Sequence, residues 1–154
     1  MSLSVSENLT MPVSDLLGGL GFIDPKRRDA LTRRFIDRLD IKTAGPKQAV
    51  RDLSGGNQQK VVMGRALTRQ PKLLILLNPT SGVDIASKLA LIEAIREVTT
   101  TGTTVLMVSD ELDELELCDR VLVLFSGRIT HEFVYQWTSN ELVSAMEGLS
   151  VVAD

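Results

Sequence analysis

Between Pro71 and Pro79 runs Leu73-Leu74-Ile75-Leu76-Leu77, an unbroken apolar stretch too short for a helix and without the alternation of a half-wet strand. A run of that length bounded by prolines reads as a strand buried on both faces, the kind found in parallel sheets. Residues 103–109 form a second such stretch. Between the two, Asp84 is placed to cap a helix in which Ile85, Leu89, Ile92, Ile95 and Val98 keep helical spacing, and Thr100, Thr101 and Gly102 turn the chain into the second strand. Strand, helix and strand in this order make a right-handed crossover unit with adjacent or near-adjacent parallel strands. The fold class that follows is α/β.

Upstream of that unit the pattern is helical. Ser4-Val5-Ser6-Glu7 has capping-box spacing, so a short helix opens at Ser4 and runs toward Met11. Glycines at 18, 19 and 21 break it. Asp24-Pro25 is an N-cap and first-turn pair, and Leu31, Phe35, Ile36 and Leu39 share one face of the helix it starts. The other face carries Lys26, Arg27, Arg28, Arg33, Arg34 and Arg38, and Gly45-Pro46 ends the segment. Next comes Leu53-Ser54-Gly55-Gly56-Asn57-Gln58-Gln59-Lys60. Ser54 is an N-cap residue, two glycines allow the backbone to approach another object closely, and a helical run over 61–68 continues until Gln70-Pro71 closes it. A helix starting this way aims free N–H groups and the positive end of its dipole forward, which suits an anion and most naturally a phosphate.

Beyond the crossover unit, residues 111–117 predict a short helix with an acidic, solvated face. Residues 121–125 and 128–133 predict a hairpin across Ser126-Gly127. Thr138-Ser139-Asn140-Glu141 repeats the capping-box spacing and starts a last helix that stops near Gly148. His131, the single histidine, falls in the hairpin and reads as a surface residue.

Composition bounds the function from outside. The 154 residues are 44% hydrophobic, enough for one domain with an ordinary core. A formal charge of -3 provides no field for nucleic acid, and the basic helix face lacks the interleaved aromatics of a nucleic-acid surface. One cysteine, Cys118, cannot form an internal disulfide, which fits a reducing compartment. No apolar run reaches the roughly 20 residues of a membrane helix, and the amino terminus has no secretory pattern.

The stretch from Leu53 to Lys60 resembles the signature motif of the ATP-binding cassette ATPases. Its Asn57-Gln58-Gln59-Lys60 continuation is similar to the form found in the tandem-cassette ATPases of monosaccharide importers. It is followed at the family's spacing by a strand ending in Asn78-Pro79-Thr80, then by Ser81-Gly82-Val83-Asp84 and a second strand. The resemblance covers nearly the whole chain, from Ser4 to about Met146. It implies part of a P-loop NTPase core, with parallel strands and flanking helices. The implied segments are a helical signature subdomain over 4–69, the ATPase core with its hairpin over 70–134, and a C-terminal helix and tail over 135–154.

Three departures from the family matter. No Gly-Lys-Ser or Gly-Lys-Thr loop, the family's triphosphate cradle, occurs in these residues. Where the family typically ends the first strand with an aspartate for magnesium and a glutamate that polarises water, this chain has Leu77 and Asn78. Leucine offers no oxygen to a hard cation, and a carboxamide does not take a proton near neutral pH. At the switch position after the second strand stands Asp110, whose carboxylate repels a phosphate.

Cassettes of this family work as face-to-face pairs, each nucleotide lying between the phosphate loop of one half and the signature of the other. The resemblance therefore implies that Ser54, Gly55 and Gly56 contact a nucleotide held by a different cassette, with Asn57 and Gln58 near the first turn. Ser81, Gly82 and Asp84 would lie in the loop that crosses the dimer seam. ATP and Mg2+ are implied only for an assembled pair, with no catalytic residue and no metal expected in this chain alone. The implied partners are another cassette, as an N-terminal half or a separate chain, and through it a membrane permease. The implied place is cytoplasmic, peripheral on the inner face of the membrane. The expectation is the C-terminal cassette of a tandem monosaccharide importer ATPase, signature intact and its own site degenerate. Beside it stand a half-cassette that modulates a complete ATPase, a non-functional gene remnant, and an unrelated enzyme built on Asp110, Glu111, Asp113 and Glu114.

Overall fold

The computed structural model describes residues 3–19, 22–134 and 137–149. Gly21 and part of the tail expected over 135–154 lie outside the described residues. The backbone divides into two compact units, Met1–Val108 and Ser109–Asp154.

In the first unit, α1 (Val5–Thr10) opens on the expected capping box: the Glu7 N–H donates to Ser4 Oγ at 3.2 Å and the Ser4 N–H donates to Glu7 Oε2 at 2.8 Å. Gly18 and Gly19 do more than interrupt the helix. They form β1 (Gly18–Gly19), paired antiparallel with β2 (Phe22–Ile23), where a Cβ at Gly18 would sit 1.8 Å from the Phe22 carbonyl oxygen. The Asp24 carboxylate accepts the Lys26 and Arg27 N–H groups and starts α2 (Pro25–Arg38), which buries Phe35, followed by the buried cap residue Leu39. α3 (Gly55–Leu67) packs on both earlier helices at Gly64, where a Cβ would lie 2.6 Å from Leu9 Cδ2 and 3.0 Å from Leu39 Cδ1. A β-carbon there would overfill the crossing.

β3 (Leu73–Leu77), α4 (Ile85–Thr100) and β4 (Thr104–Val108) form the expected crossover. The strands are adjacent and parallel, in register from Leu73 opposite Thr104 to Leu77 opposite Val108. Their burial departs from expectation. Leu74 and Leu76 join one core with Leu91, Ile95 and Val98 of α4 and with Val61 and Met63 of α3. Leu73, Ile75 and Leu77 on the other face are 52%, 58% and 73% exposed, and Leu106 and Val108 of β4 are exposed beside them. Within this unit α3 and α4 pack on one face, and no described element of the unit covers the other. Along α4, Ile85 and Leu89 are exposed as well, because the inward stripe starts at Ser87 and continues through Leu91, Ala94, Ile95 and Val98.

The second unit holds α5 (Leu112–Leu115), β5 (Arg120–Phe125), β6 (Arg128–Val134) and α6 (Ser139–Met146). β5 and β6 form the expected hairpin, with Ser126 at φ 48° and Gly127 at φ 77°, the two positive values a two-residue turn of the favoured hand requires. The expected capping box starts α6: Thr138 Oγ accepts the Glu141 N–H at 3.2 Å. Leu115, Val121, Val123, Leu142 and Ala145 make this unit's core. Glu114 is buried, so α5 is not the wholly solvated acidic turn expected. His131 is half-buried and stacks on Phe133 at 6.2 Å. No helix among the described residues is long and apolar enough to cross a membrane.

Candidate functional site

The start of α3 is held from two sides. Ser54 occupies the N-cap position in extended conformation, φ -62° and ψ 156°, yet its side chain makes no capping hydrogen bond. Asn57 Nδ2 donates to Ser54 Oγ at 2.8 Å instead. Asn57 Oδ1 accepts the backbone N–H of Lys42 at 2.7 Å, and Gln58 Nε2 donates to the Leu53 carbonyl at 2.9 Å. Lys60, one turn on, is buried and donates from Nζ to the Asp40 carbonyl at 3.0 Å. Asn57 and Lys60 thus grip one loop, in which Asp40 adopts a left-handed φ of 47°. Lys42, hydrogen-bonded to the Asp40 carboxylate, holds that acid below its ordinary range.

The second side is the start of α4. Gly56 is buried, and a Cβ added there would lie 2.2 Å from Ser87 Oγ, 2.6 Å from Ser87 Cβ and 3.0 Å from Asp84 Oδ2. Gly55 is exposed, with the Gly82 carbonyl oxygen 3.9 Å from its own added Cβ. The two helix N-termini therefore meet. Asp84 caps α4 by accepting the Ser87 N–H and the Ser87 hydroxyl, each at 2.9 Å, and these bonds, the backbone one first, lower its pKa. Ser81 and Gly82 are exposed on the turn leading into it, Gly82 at φ 71°. Gly55 thus lies beside Gly82, and Gly56 against the Asp84 and Ser87 side chains.

Sequence reasoning did not single out Lys42 or Ser87, and it named Lys60 only as part of a motif. Asp84-x-x-Ser87 has the spacing of an N-cap and its N3 partner, a signal that was available. A lysine in the first turns of a helix carries no local mark of burial.

The end of β3 is different in kind. Leu77 is exposed and carries no oxygen on its side chain, and Asn78 is exposed at φ 44° with its N–H donated to the Val108 carbonyl at 2.8 Å. Neither side chain offers a carboxylate to a magnesium ion. Among the described residues no three His, Cys, Asp or Glu side chains are grouped so that they could hold a metal ion together. Asp110 is exposed near the start of the second unit.

Among curated proteins, the ribose import ATP-binding protein RbsA of Geobacillus kaustophilus is 42% identical over 130 residues, 84% of this chain and 26% of that protein. The Bacillus subtilis protein of the same description is 40% identical over 144 residues, 93% of this chain and 29% of its own length. RbsA 1 of Rhizobium meliloti is 37% identical over 156 residues and spans the full chain, 31% of its own length. The chain thus spans between a quarter and a third of these relatives. In fold it matches the dimeric bacterial ABC transporter cassette MJ0796 with a TM-score of 0.76 at 20% identity, over 88% of this chain and 58% of that one. The post-hydrolysis state of that cassette bound to ADP and Pi matches with a TM-score of 0.75, also at 20% identity and over the same shares. The model of the family described as ABC transporter matches residues 1–81, more than half of the chain and a span that takes in both the start of α3 and the whole of β3. The chain therefore belongs to the ABC transporter family.

Proposed function

We propose that this chain acts as part of the ATP-binding subunit of a monosaccharide importer, presenting the start of α3 to a nucleotide held by another cassette. The observation that carries this reading is the asymmetry of its two candidate surfaces. The surface of Ser54 and Gly55 is exposed and backed by two helix N-termini. The end of β3 presents Leu77 and Asn78, where hydrolysis would need a metal ligand and a base. The Ser54 hydroxyl and the first N–H groups of α3 suit the oxygens of a terminal phosphate. In an assembled pair, ATP with Mg2+ would supply the phosphoryl group, and the role of this chain would be to close over it. Ser81, Gly82 and Asp84, adjoining that surface, would face the same seam. The segment over 4–69 then serves as the signature-bearing part and 70–134 as its scaffold.

The import description of the relatives favours a monosaccharide cargo, a membrane permease as further partner, and a cytoplasmic place against the membrane. The exposed apolar face of β3 and β4 favours an assembled over a solitary state. It is equally compatible with a half-cassette that modulates a complete ATPase without chemistry of its own.

The test is a titration of a fluorescent ATP analogue with Mg2+ on this chain alone and on its mixture with a cassette carrying a complete phosphate loop. Retention of the analogue should tighten in the mixture and be lost on Gly55→Asp, a position with room for a side chain. Micromolar binding by the chain alone would overturn the reading.

A further inference from the structure

We propose that Asn57 is a positioning residue that sets the direction in which the Ser54 hydroxyl donates. The inference rests on the reading that Ser54 faces a phosphate, and it moves Asn57 from contacting the nucleotide to orienting the group that does.

The hydrogen bonds run one way. A backbone N–H can only donate, so the Asn57 atom 2.7 Å from the Lys42 nitrogen is Oδ1. The amide is planar, and its other end is then Nδ2, a donor only, 2.8 Å from Ser54 Oγ. Ser54 Oγ accepts at that bond, and its single proton points elsewhere. Ser54 is exposed and its side chain makes no capping bond to the backbone N–H groups of α3, so that proton is available to an oxygen arriving from outside. The anchor of the relay is firm: the Lys60 ammonium holds the Asp40 carbonyl at 3.0 Å, and the Ile41 N–H is given to the Ile36 carbonyl at 2.9 Å. Asn57-x-x-Lys60 is a loop clamp whose free end aims a hydroxyl.

Asn57→Asp keeps the size of the side chain and its bond to the Lys42 N–H but turns the Ser54 end from donor to acceptor. The Ser54 proton is then drawn inward, and lone pairs face the phosphate. The experiment is a double-mutant cycle on analogue retention in the mixture with a complete cassette, using Ser54→Ala, Asn57→Asp and both together, with Gly55→Asp as control. Asn57→Asp should weaken retention about tenfold more when Ser54 is present than when it is replaced, the size expected of one hydrogen bond to a charged acceptor. The charge that the aspartate adds acts in both backgrounds and cancels. Equal effects in the two backgrounds would overturn the role of Asn57 while leaving the signature reading standing. Retention that survives Gly55→Asp would overturn that reading and the inference with it. Should Asn57→Asp lower the melting temperature enough to obscure binding, the nucleotide-free chain supplies the decision. Its Asn57 side-chain amide resonances should move on Ser54→Ala, and unmoved resonances would exclude the relay.

Discussion

The two faces of β3 are built from the same kind of residue and have opposite fates. Leu74 and Leu76 are 4% and 8% exposed in a core shared with α3 and α4, whereas Leu73, Ile75 and Leu77 stand more than half exposed with Leu106 and Val108 alongside. Residue identity does not separate the faces; what lies opposite does. A contiguous apolar patch on a sheet is an associating surface, so the helical side of this unit is closed and the sheet side is open to a partner. The sharpest way to break that contrast is to truncate across it. Leu74→Ala should cost about 2–5 kcal/mol in denaturant unfolding, because it leaves a cavity in a packed core. Ile75→Ala should change stability by no more than about 0.5 kcal/mol. Equal losses would show that the outer face is covered in solution, and sedimentation of Ile75→Lys would then reveal whether a second copy does the covering.

The same contrast recurs between neighbours at the candidate site. A Cβ at Gly56 would fall 2.6 Å from Ser87 Cβ, an atom fixed by its own backbone, whereas nothing lies closer than 3.9 Å at Gly55. Gly56→Ala should therefore destabilise by about 1–3 kcal/mol through forced separation of α3 and α4. Gly55→Ala should be neutral or slightly stabilising, since alanine favours the helix. A Gly56→Ala chain that melts with the unsubstituted protein would mean that the two helix starts do not touch.

Much of this architecture could be read from local chemistry. The capping boxes at Ser4 and Thr138, the Asp24-Pro25 start of α2, the Ser126-Gly127 turn and the parallel pairing of β3 with β4 follow from nearest-neighbour rules, and each is present. The stretch from Leu53 to Lys60 stood out less for Ser-Gly-Gly, a common helix start, than for Asn78-Pro79-Thr80 and Ser81-Gly82-Val83-Asp84 following it at the family's spacing. What could not be read was tertiary. An apolar strand marks faces able to be buried, not faces that are, so Leu73, Ile75 and Leu77 were misjudged. Ile85 and Leu89 keep helical spacing with the core residues of α4, but the Asp84 cap and the approach of Gly56 turn Ser87 inward in their place. Asn57 and Gln58 read as groups near a ligand, and their bonds to Ser54, Lys42 and Leu53 show them also as supports of the turn.

The smallest expected effect concerns the charge at the closed end. Asp84 accepts two hydrogen bonds from Ser87, and its pKa in the folded chain lies below the ordinary value, the backbone N–H being the larger cause and the hydroxyl the second. A carboxylate depressed in this way stabilises the fold fully above its unfolded pKa of about 3.9, and that contribution fades as pH falls through the lower folded value. Asp84→Asn retains an oxygen for the Ser87 N–H but carries no charge to titrate. The unsubstituted protein should be slightly the more stable of the two at pH 7, and the gap in unfolding midpoint should close as the pH is lowered below about 3.9. A gap that stays constant down to pH 2 would show that the cap works through shape alone, and that no charge is held between the two helix starts.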